Sequence, residues 1–248
     1  MTSTSVAPYY GAMIAVWVLA VLYFLFRPKV RYPVQDHSWL RHQPGTWIKH
    51  RTTLEVNGVA SEELLTAKLQ EIRGHQYVLE ETITSPGAEP RSILSITENS
   101  INAGWEPVKV SGQHYQCTVW LAFSRRGGAS GLIRSFVPEG EKEPVGIVFK
   151  SPAMRGELMA VARDERVEAM GRTYSCTRLE GKVRQGDASG AMTLWHCRDL
   201  PGSQVRMDLA LQGPKGFLRS RTEVVELHVE VSPQSNPAAP APPLAGPG

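Results

Sequence analysis

The chain has 248 residues, 42% of them hydrophobic, with 27 basic and 24 acidic side chains and a formal net charge of +3. That charge is too weakly basic for a nucleic-acid-binding protein, which would also show basic runs with interleaved aromatic residues. Three cysteines are too few, and odd in number, for the disulfide framework of a small secreted domain. Lys, Arg, Asp and Glu are all absent from residues 1–26 and 232–248, so every charged side chain lies between these two segments.

The first segment predicts a transmembrane helix. Residues 6–26 read VAPYYGAMIAVWVLAVLYFLF, and about 20 apolar residues in a helix cross the roughly 30 Å hydrocarbon core of a bilayer. A secretory signal peptide is the alternative, but the segment has neither a basic n-region nor a small-residue cleavage site. We therefore predict an uncleaved single-pass anchor over 1–27. Its membrane-contacting residues include Val6, Tyr9, Tyr10, Trp17 and Phe26.

The charges beside this helix predict its orientation. Arg27, Lys29 and Arg31 follow the apolar stretch, whereas the N-terminal side carries only the α-amino group. Basic flanks are retained on the cytoplasmic side of a membrane. The prediction is a bacterial inner-membrane protein, partnered by the lipid bilayer, with its C-terminal domain in the cytoplasm; a periplasmic domain is the alternative.

The soluble part begins after a predicted linker. Residues 28–46 contain three prolines and no sustained periodicity, which indicates a linker. From Trp47 to Val56 the side chains alternate in polarity, and Asn57-Gly58 follows. Asn-Gly between alternating segments is a strong signal for a β-hairpin.

Two interpretations compete for residues 62–73. Helical spacing of Leu65, Leu69 and Ile72, with Gly74 at the end, is typical of a helix. Residues 66–71 also alternate as a strand would. We favour a strand, with the helix as the alternative, because Gly74 begins a pattern that recurs later in the chain.

The recurring pattern is G-x-x-Y-x-C-T. It occurs at 112–118 and again at 171–177, and glycine pairs at 127 and 131 match those at 186 and 190, all at an offset of 59 residues. A weaker copy begins at Gly74. Glycine supplies the positive φ of a tight turn, so each copy predicts strand, turn and strand. The sequence therefore predicts repeat-related segments around 108–140 and 167–200.

The remaining segments complete the predicted domain, which spans 47–231. Strands are expected near 144–150, 156–162, 165–170, 174–182, 191–197, 204–211 and 219–231. The last of them alternates between an apolar and an acidic face, as an antiparallel strand with one wet face does. Residues 232–248 hold six prolines after Ser232 and no charge, which predicts a disordered tail.

The C-terminal third resembles a known group. GRTYSC at 171–176, MTLW at 192–195, DLPG at 199–202 and VRM at 205–207 are similar to the closing hairpins of lipoprotein-carrier (LolA/LolB-like) half-barrel domains. In that group a W-x(n)-D-x-P-G turn joins two long antiparallel strands. The resemblance implies a curved sheet with an apolar concave face that holds lipid or acyl chains. It carries over no binding residue, and those carriers are periplasmic or lipid-anchored.

Candidate chemistry is sparse. His196-Cys197 lacks the second close pair of ligands that zinc requires, and neighbouring strand residues point to opposite faces. Cys117 and Cys176 occupy equivalent positions in the repeat, which favours a shared packing role for both. The alternative is a possible thiol pair, Cys117 with Cys176, if the two copies pack face to face. No motif indicates a catalytic, cofactor-binding or metal-binding site.

The predicted fold is thus one N-terminal transmembrane helix and a mostly-β soluble domain, built as an antiparallel, hairpin-rich curved sheet with an internal repeat of about 59 residues. The first functional hypothesis is a non-catalytic accessory or scaffolding subunit that contacts other membrane-protein subunits. The alternative is a membrane-tethered carrier-like domain with a lipid or other apolar ligand. An enzyme ranks third, and no cofactor is expected.

Overall fold

The structure is a computed structural model that describes residues 38–74, 76–99, 108–110, 113–124, 130–138, 141 and 143–231, with the backbone alone described for most of 93–130. The predicted anchor, its flank of Arg27, Lys29 and Arg31, and the predicted tail lie outside these residues and stay predictions. Within the described ranges, no helix is both long enough and apolar enough to cross a membrane.

In the described ranges, thirteen strands form one antiparallel sheet. Their bounds are β1 Trp47–Val56, β2 Val59–Arg73, β3 Gln76–Thr84, β4 Arg91–Asn99, β5 Val108–Val110, β6 Gln113–Ser124, β7 Ser130–Pro138, β8 Gly146–Lys150, β9 Arg155–Ala169, β10 Arg172–Gln185, β11 Ala188–His196, β12 Gln204–Gly213 and β13 Gly216–His228. Two short 3-10 turns, Ser38–Arg41 and Pro201–Ser203, accompany them.

The strand order is β4-β3-β2-β1-β13-β12-β11-β10-β9-β8-β7-β6-β5, with a further pairing of β4 with β6. Most neighbours in the sheet are therefore also neighbours in the chain, and β1 pairs with β13. The prediction of a mostly-β, antiparallel, hairpin-rich curved sheet is confirmed.

The turn residues behave as their chemistry predicts. Asn57 and Gly58 have φ angles of 51° and 85° and join β1 to β2 with Val56 opposite Val59, as in a two-residue type I′ hairpin. The segment 62–73 lies within strand β2, so the helical alternative is wrong. Gly74 and Gly171 have positive φ angles and precede returning strands.

The strands of the structure do not show the predicted internal repeat of about 59 residues. Gly112 and the glycines at 127 and 128 lie outside the described residues, and the sheet is a succession of neighbouring strands without a visible division into equivalent copies. Two local turns of the same chemistry do not by themselves make two equivalent structural units.

One predicted break is a bulge. The expected strands 156–162 and 165–170 form the single strand β9, in which Asp164 has a φ of 54°. The pairing register with β10 shifts twice between Cys176 and Leu179. A bulge interrupts polarity alternation while the strand continues, so the pattern looked like two strands.

Each strand from β8 to β13, and β1, has one buried side, which we name the core face. On β13 it carries Leu218, Ser220, Thr222 and Val224, alternating with the residues of the outer face. Two apolar clusters lie there. The first includes Trp39, Ile48, Leu69, Tyr77, Leu79, Cys176, Cys197, Leu200, Val205 and Val224. The second is centred on Leu158, Leu179, Val183, Met192 and Leu211.

Two core-face glycines bring neighbouring backbones unusually close. A Cβ on Gly181 would lie 1.8 Å from the carbonyl oxygen of Glu157, and a Cβ on Gly190 would lie 1.8 Å from that of Ala210. Glycine inside a strand commonly marks such a close approach. These positions let β9, β10, β11 and β12 bend together.

The end of the predicted linker is folded. The side chain of Trp39 is 3% exposed and belongs to the first cluster. The amide of Gly45 donates to the carbonyl of Leu69 at 2.7 Å, and the buried Thr46 accepts from the Leu69 amide through its own carbonyl at 2.8 Å. Residues 38–46 therefore pack on the sheet.

Candidate functional site

The main candidate site is an apolar strip on the core face of β8 to β13. Its centre is buried: Leu179 and Leu158 are 0% and 1% exposed. Around the centre lie apolar side chains that pack against it yet stay partly exposed. They are Ile147, Phe149, Leu194, Met207, Leu209 and Leu218. We name the buried centre and these six residues the apolar strip.

The strip borders a polar margin on the same face. In the pairing of β12 with β13, Met207 lies opposite Thr222 and Leu209 lies opposite Ser220. The Thr222 hydroxyl is 2.9 Å from that of Thr52 on β1. Hydroxyl groups thus line the edge of the apolar strip, which gives the core face one apolar and one polar side.

His50 adds an unusual group to this margin. It lies two residues before Thr52 on β1, opposite Val224, and is 8% exposed. Burial lowers the pKa of His50, although the nearby backbone of Gln204 favours the charged form. Within the described part of the chain, neither imidazole nitrogen makes a hydrogen bond of ordinary geometry. A buried polar group without a hydrogen bond is costly, so a hydrogen bond from His50 to a polar group of a ligand would be favourable.

No described side chain of β1 to β3 belongs to the second apolar cluster, although side chains of β2 and β3 share the first cluster with Cys176 of β10. The six residues around the buried centre of the strip stay partly exposed. A sheet with one apolar face normally buries it against another layer. The partly exposed members of the strip are therefore available for contact with a ligand.

The outer face differs in character. It holds a groove of about 500 Å³ whose lining includes Glu55, Thr193, Asp208, Arg219 and Arg221. Asp208 accepts hydrogen bonds from Arg206 at 2.5 Å and from Arg221 at 3.1 Å. Burial disfavours the ionised carboxyl, but these two guanidinium groups outweigh it and lower the pKa of Asp208. The charged side chains of this groove distinguish it from the apolar strip.

A second set of polar contacts extends this outer face toward β9. Trp195 donates its indole N–H to Glu165 at 2.8 Å, and the guanidinium carbon of Arg206 lies 4.6 Å from the centre of a Trp195 ring. Arg178 pairs with Glu165 at 3.1 Å. These cross-strand pairs stabilise the register of the strands.

The structure describes two of the three cysteines with their side chains. Cys176 and Cys197 are both free, buried and members of the first apolar cluster, and the Cys176 thiol donates to the carbonyl oxygen of Tyr174 at 3.8 Å. The side chain of Cys117 lies outside the described residues, so its pairing with Cys176 stays a prediction. His196, the neighbour of Cys197, instead bonds through Nδ1 to Glu143 at 2.6 Å.

A sequence signal for the Cys176–Cys197 contact existed. The two-residue turn Gly186-Asp187 places Gln185 opposite Ala188. Nine residues along each strand from that pair lie Cys176 and Cys197, and the pairing keeps one register up to Thr177 opposite His196. Counting back from the turn would therefore have placed the two cysteines opposite each other.

Other predicted features have mixed outcomes. The DLPG segment does join two antiparallel strands, with Leu200 and Pro201 buried and Gly202 at a φ of 75°. Val6, Tyr9, Tyr10, Trp17 and Phe26 lie outside the described residues. Among the side chains that the structure describes, no group of three His, Cys, Asp or Glu residues could hold a metal ion.

No family model matches the chain, and no curated protein matches it. Several solved structures do. A protein described as a lipoprotein from Parabacteroides distasonis matches with 11% identity and a TM-score of 0.41, over 75% of this chain and 96% of its own. An exported protein with a YmcC-like fold from Bacteroides fragilis matches with 9% identity and a TM-score of 0.40, over 75% and 97%.

A domain described as an outer membrane lipoprotein-sorting protein from Vibrio parahaemolyticus also matches. Its identity is 9% and its TM-score 0.27, over 77% of this chain and 87% of its own. Similarities at these TM-scores do not identify a ligand or partner, so the chain's own geometry must support any function.

Proposed function

We propose that the β domain binds a ligand with a long hydrocarbon chain, such as a lipid or a fatty acid, on its core face. The apolar strip supports this proposal, because it extends over six neighbouring strands and its partly exposed side chains lie on β8, β11, β12 and β13, on both sides of the buried centre. Six strands spaced about 4.8 Å apart measure about 24 Å across. That width is on the order of the length of an extended long-chain fatty acid.

The polar margin supports the same class of ligand. Hydroxyl groups of Ser220, Thr222 and Thr52, with the unsatisfied imidazole of His50, lie at one end of the strip. Ligand sites are mostly apolar, with a few polar groups that fix orientation. A hydrocarbon chain on the strip would bring a polar head group to this margin.

The hypothesis of an accessory subunit stays a prediction, as does the absence of catalysis. The contacts that the structure describes include no surface that favours docking to other membrane subunits over ligand binding. We therefore place the carrier-like function first.

Photo-crosslinking tests the proposal. The full chain, purified in mild detergent, is incubated with palmitic acid bearing a diazirine, irradiated, digested and analysed by mass spectrometry. We expect labelled peptides from β8, β12 and β13, and excess unmodified palmitic acid should suppress this labelling several-fold. Labelling confined to peptides from residues 1–37, or none in these strands, would contradict the proposal.

A pair of variants controls for detergent and for folding. Met207→Gln places an amide in the strip and should reduce labelling of the strands at least several-fold. Met159→Gln makes the same change on β9 at a side chain that is 52% exposed, outside the strip, and should label as the parent protein does. Thermal unfolding of both variants shows whether the fold is intact, and equal labelling of the two would overturn the assignment.

A further inference from the structure

The two buried cysteines of the first apolar cluster follow the last paired residues of the β10–β11 ladder. Thr177 and His196 are the last residues of this ladder, and Cys176 and Cys197 follow them by one step on each strand. Residues directly opposite in antiparallel strands have Cα atoms about 4.5–5.5 Å apart. Continued by one step in the same register, the two cysteines fall within the Cα separation of about 4.4–6.8 Å that a disulfide requires.

The immediate surroundings hold the two sulfurs together. Cys176 and Cys197 are 2% and 1% exposed. Two bulges, one beside Cys176 on the side of β9 and one at Trp195/His196 on the side of β12, interrupt the alternation of the strands. The amide of Cys197 donates to the carbonyl of Ser203 at 2.8 Å, which fixes the chain just after β11.

The two thiols are not equivalent. The Cys176 thiol donates to the carbonyl oxygen of Tyr174 at 3.8 Å, which favours its protonated form. The nearness of Cys176, together with the backbone amide of Asp199, lowers the pKa of Cys197. The nearness of Cys197, followed by burial, raises the pKa of Cys176. In such a pair Cys197 is the more readily ionised and is the nucleophile, since the thiolate is the reactive form of cysteine.

We propose that Cys176 and Cys197 form an intramolecular disulfide when the protein meets an oxidant of the low-molecular-weight disulfide class. The Cys197 thiolate attacks one sulfur of that disulfide and releases a thiol. The sulfur of Cys176 then attacks Cys197 in the mixed disulfide and releases a second thiol. Two electrons pass from the protein sulfurs to the external disulfide, and the two thiol protons end on the two released thiols.

The bridge would join β10 to the connection between β11 and β12. That connection contains the buried Leu200 and the second 3-10 turn, which contacts the turn around Trp39. Because both sulfurs are buried, exchange requires local opening of this end of the sheet. The proposal does not depend on the ligand-binding function, since it involves a different cluster of the core face.

The test uses the purified full chain, reduced and then incubated with oxidised glutathione. After denaturation and alkylation, one thiol should remain reactive in the parent protein and none in Cys117→Ser. Digestion should yield a linked peptide pair that contains Cys176 and Cys197, two hydrogens lighter than the separate peptides. Three reactive thiols after oxidation, or a linked pair that contains Cys117, would overturn the proposal.

Single variants test the assigned roles. In Cys176→Ala the mixed disulfide with glutathione should accumulate on Cys197, whereas Cys197→Ala should show at least several-fold less adduct on Cys176. Equal adducts on both would refute the assignment of Cys197 as the nucleophile. The Cys117→Ser measurement keeps the bridge itself testable even if either of these variants fails to fold, because it leaves the pair untouched.

Discussion

Gly190 offers a quantitative test of how the sheet bends. A Cβ at this position would lie 1.8 Å from the carbonyl oxygen of Ala210, whereas real Cβ contacts are essentially never shorter than 3.0 Å. Gly190→Ala therefore forces β11 and β12 about 1.2 Å apart at this point, the difference between those two distances. A hydrogen bond of about 2.9 Å lengthened by that amount is lost.

The expected cost follows from these contacts. Two ladder bonds beside Gly190 contribute about 1 kcal/mol each, and overpacking adds about 1–3 kcal/mol. The free energy of unfolding should fall by about 3–5 kcal/mol. Each 1 kcal/mol lowers the Tm of a domain of this size by about 2–4 °C, so the Tm should fall by about 6 °C or more.

Gly186→Ala is the matched control. Gly186 lies in the turn between β10 and β11 with a φ of 58°, and a Cβ there would have no atom within 4 Å. This variant bears only the backbone cost of a left-handed conformation, about 1–2 kcal/mol. Urea and thermal unfolding, followed by circular dichroism, compare the two. If Gly190→Ala is no less stable than Gly186→Ala, the proposed close approach of the backbones is wrong.

Three further changes test the core, the first hairpin and the buried histidine. Leu179→Ala, at a side chain with no exposure, should lower the free energy of unfolding measured in urea by about 2–5 kcal/mol. Val161→Ala, at a position that is 52% exposed, should lower it by under about 1 kcal/mol. Similar losses in the two variants would contradict the assigned core. Asn57→Ala should cost about 1–2 kcal/mol, because Asn57 accepts from the Phe217 amide at 2.8 Å and donates to Lys215 at 3.1 Å; Asn57→Asp should recover part of the loss, since it keeps the acceptor. Burial lowers the pKa of His50 in the folded state below 6.5, so the unfolded chain binds more protons and stability falls as pH drops below about 6.5. Between about pH 7 and pH 5, His50→Leu should therefore lose less stability than the parent protein. An equal loss in both proteins would argue against a buried neutral imidazole.

Turn residues and alternating polarity predicted the hairpin and strand features that depend on neighbouring residues alone. Asn57-Gly58 defined a hairpin because few other residues adopt positive φ at both central positions of the turn. The alternation from Thr222 onward predicted strand β13, whose observed range is Gly216–His228. The segment 62–73 was ambiguous in isolation, and its pairing with both β1 and β3 decides in favour of a strand.

Long-range pairing decided what local patterns could not. The bulge at Asp164 depends on how β9 meets β10, so the alternation of β9 alone suggested two strands. The sequence predicted an apolar face only through the resemblance of the C-terminal third to lipoprotein-carrier domains, and it did not identify the residues of the apolar strip. Its members come from β8 to β13, and the chain shows no single stretch that contains them all. Likewise the sequence placed Trp39 in a linker, because its burial depends on the distant residues of the first cluster.

The thiol pair also bears on the orientation of the chain. Cytosolic thiols are kept reduced, whereas disulfides persist in the periplasm. The basic flank of Arg27, Lys29 and Arg31 predicts a cytoplasmic domain, and in that location Cys176 and Cys197 would remain a dithiol. Once purified protein has shown that the bridge can form, acid quenching and alkylation of intact cells report the compartment through the same two residues. A disulfide between the two residues in intact cells would place the domain in the periplasm and refute the orientation predicted from the basic flank. The redox state of the two sulfurs depends on the compartment of the folded domain itself, whereas the charges of the flank indicate only how the helix inserts.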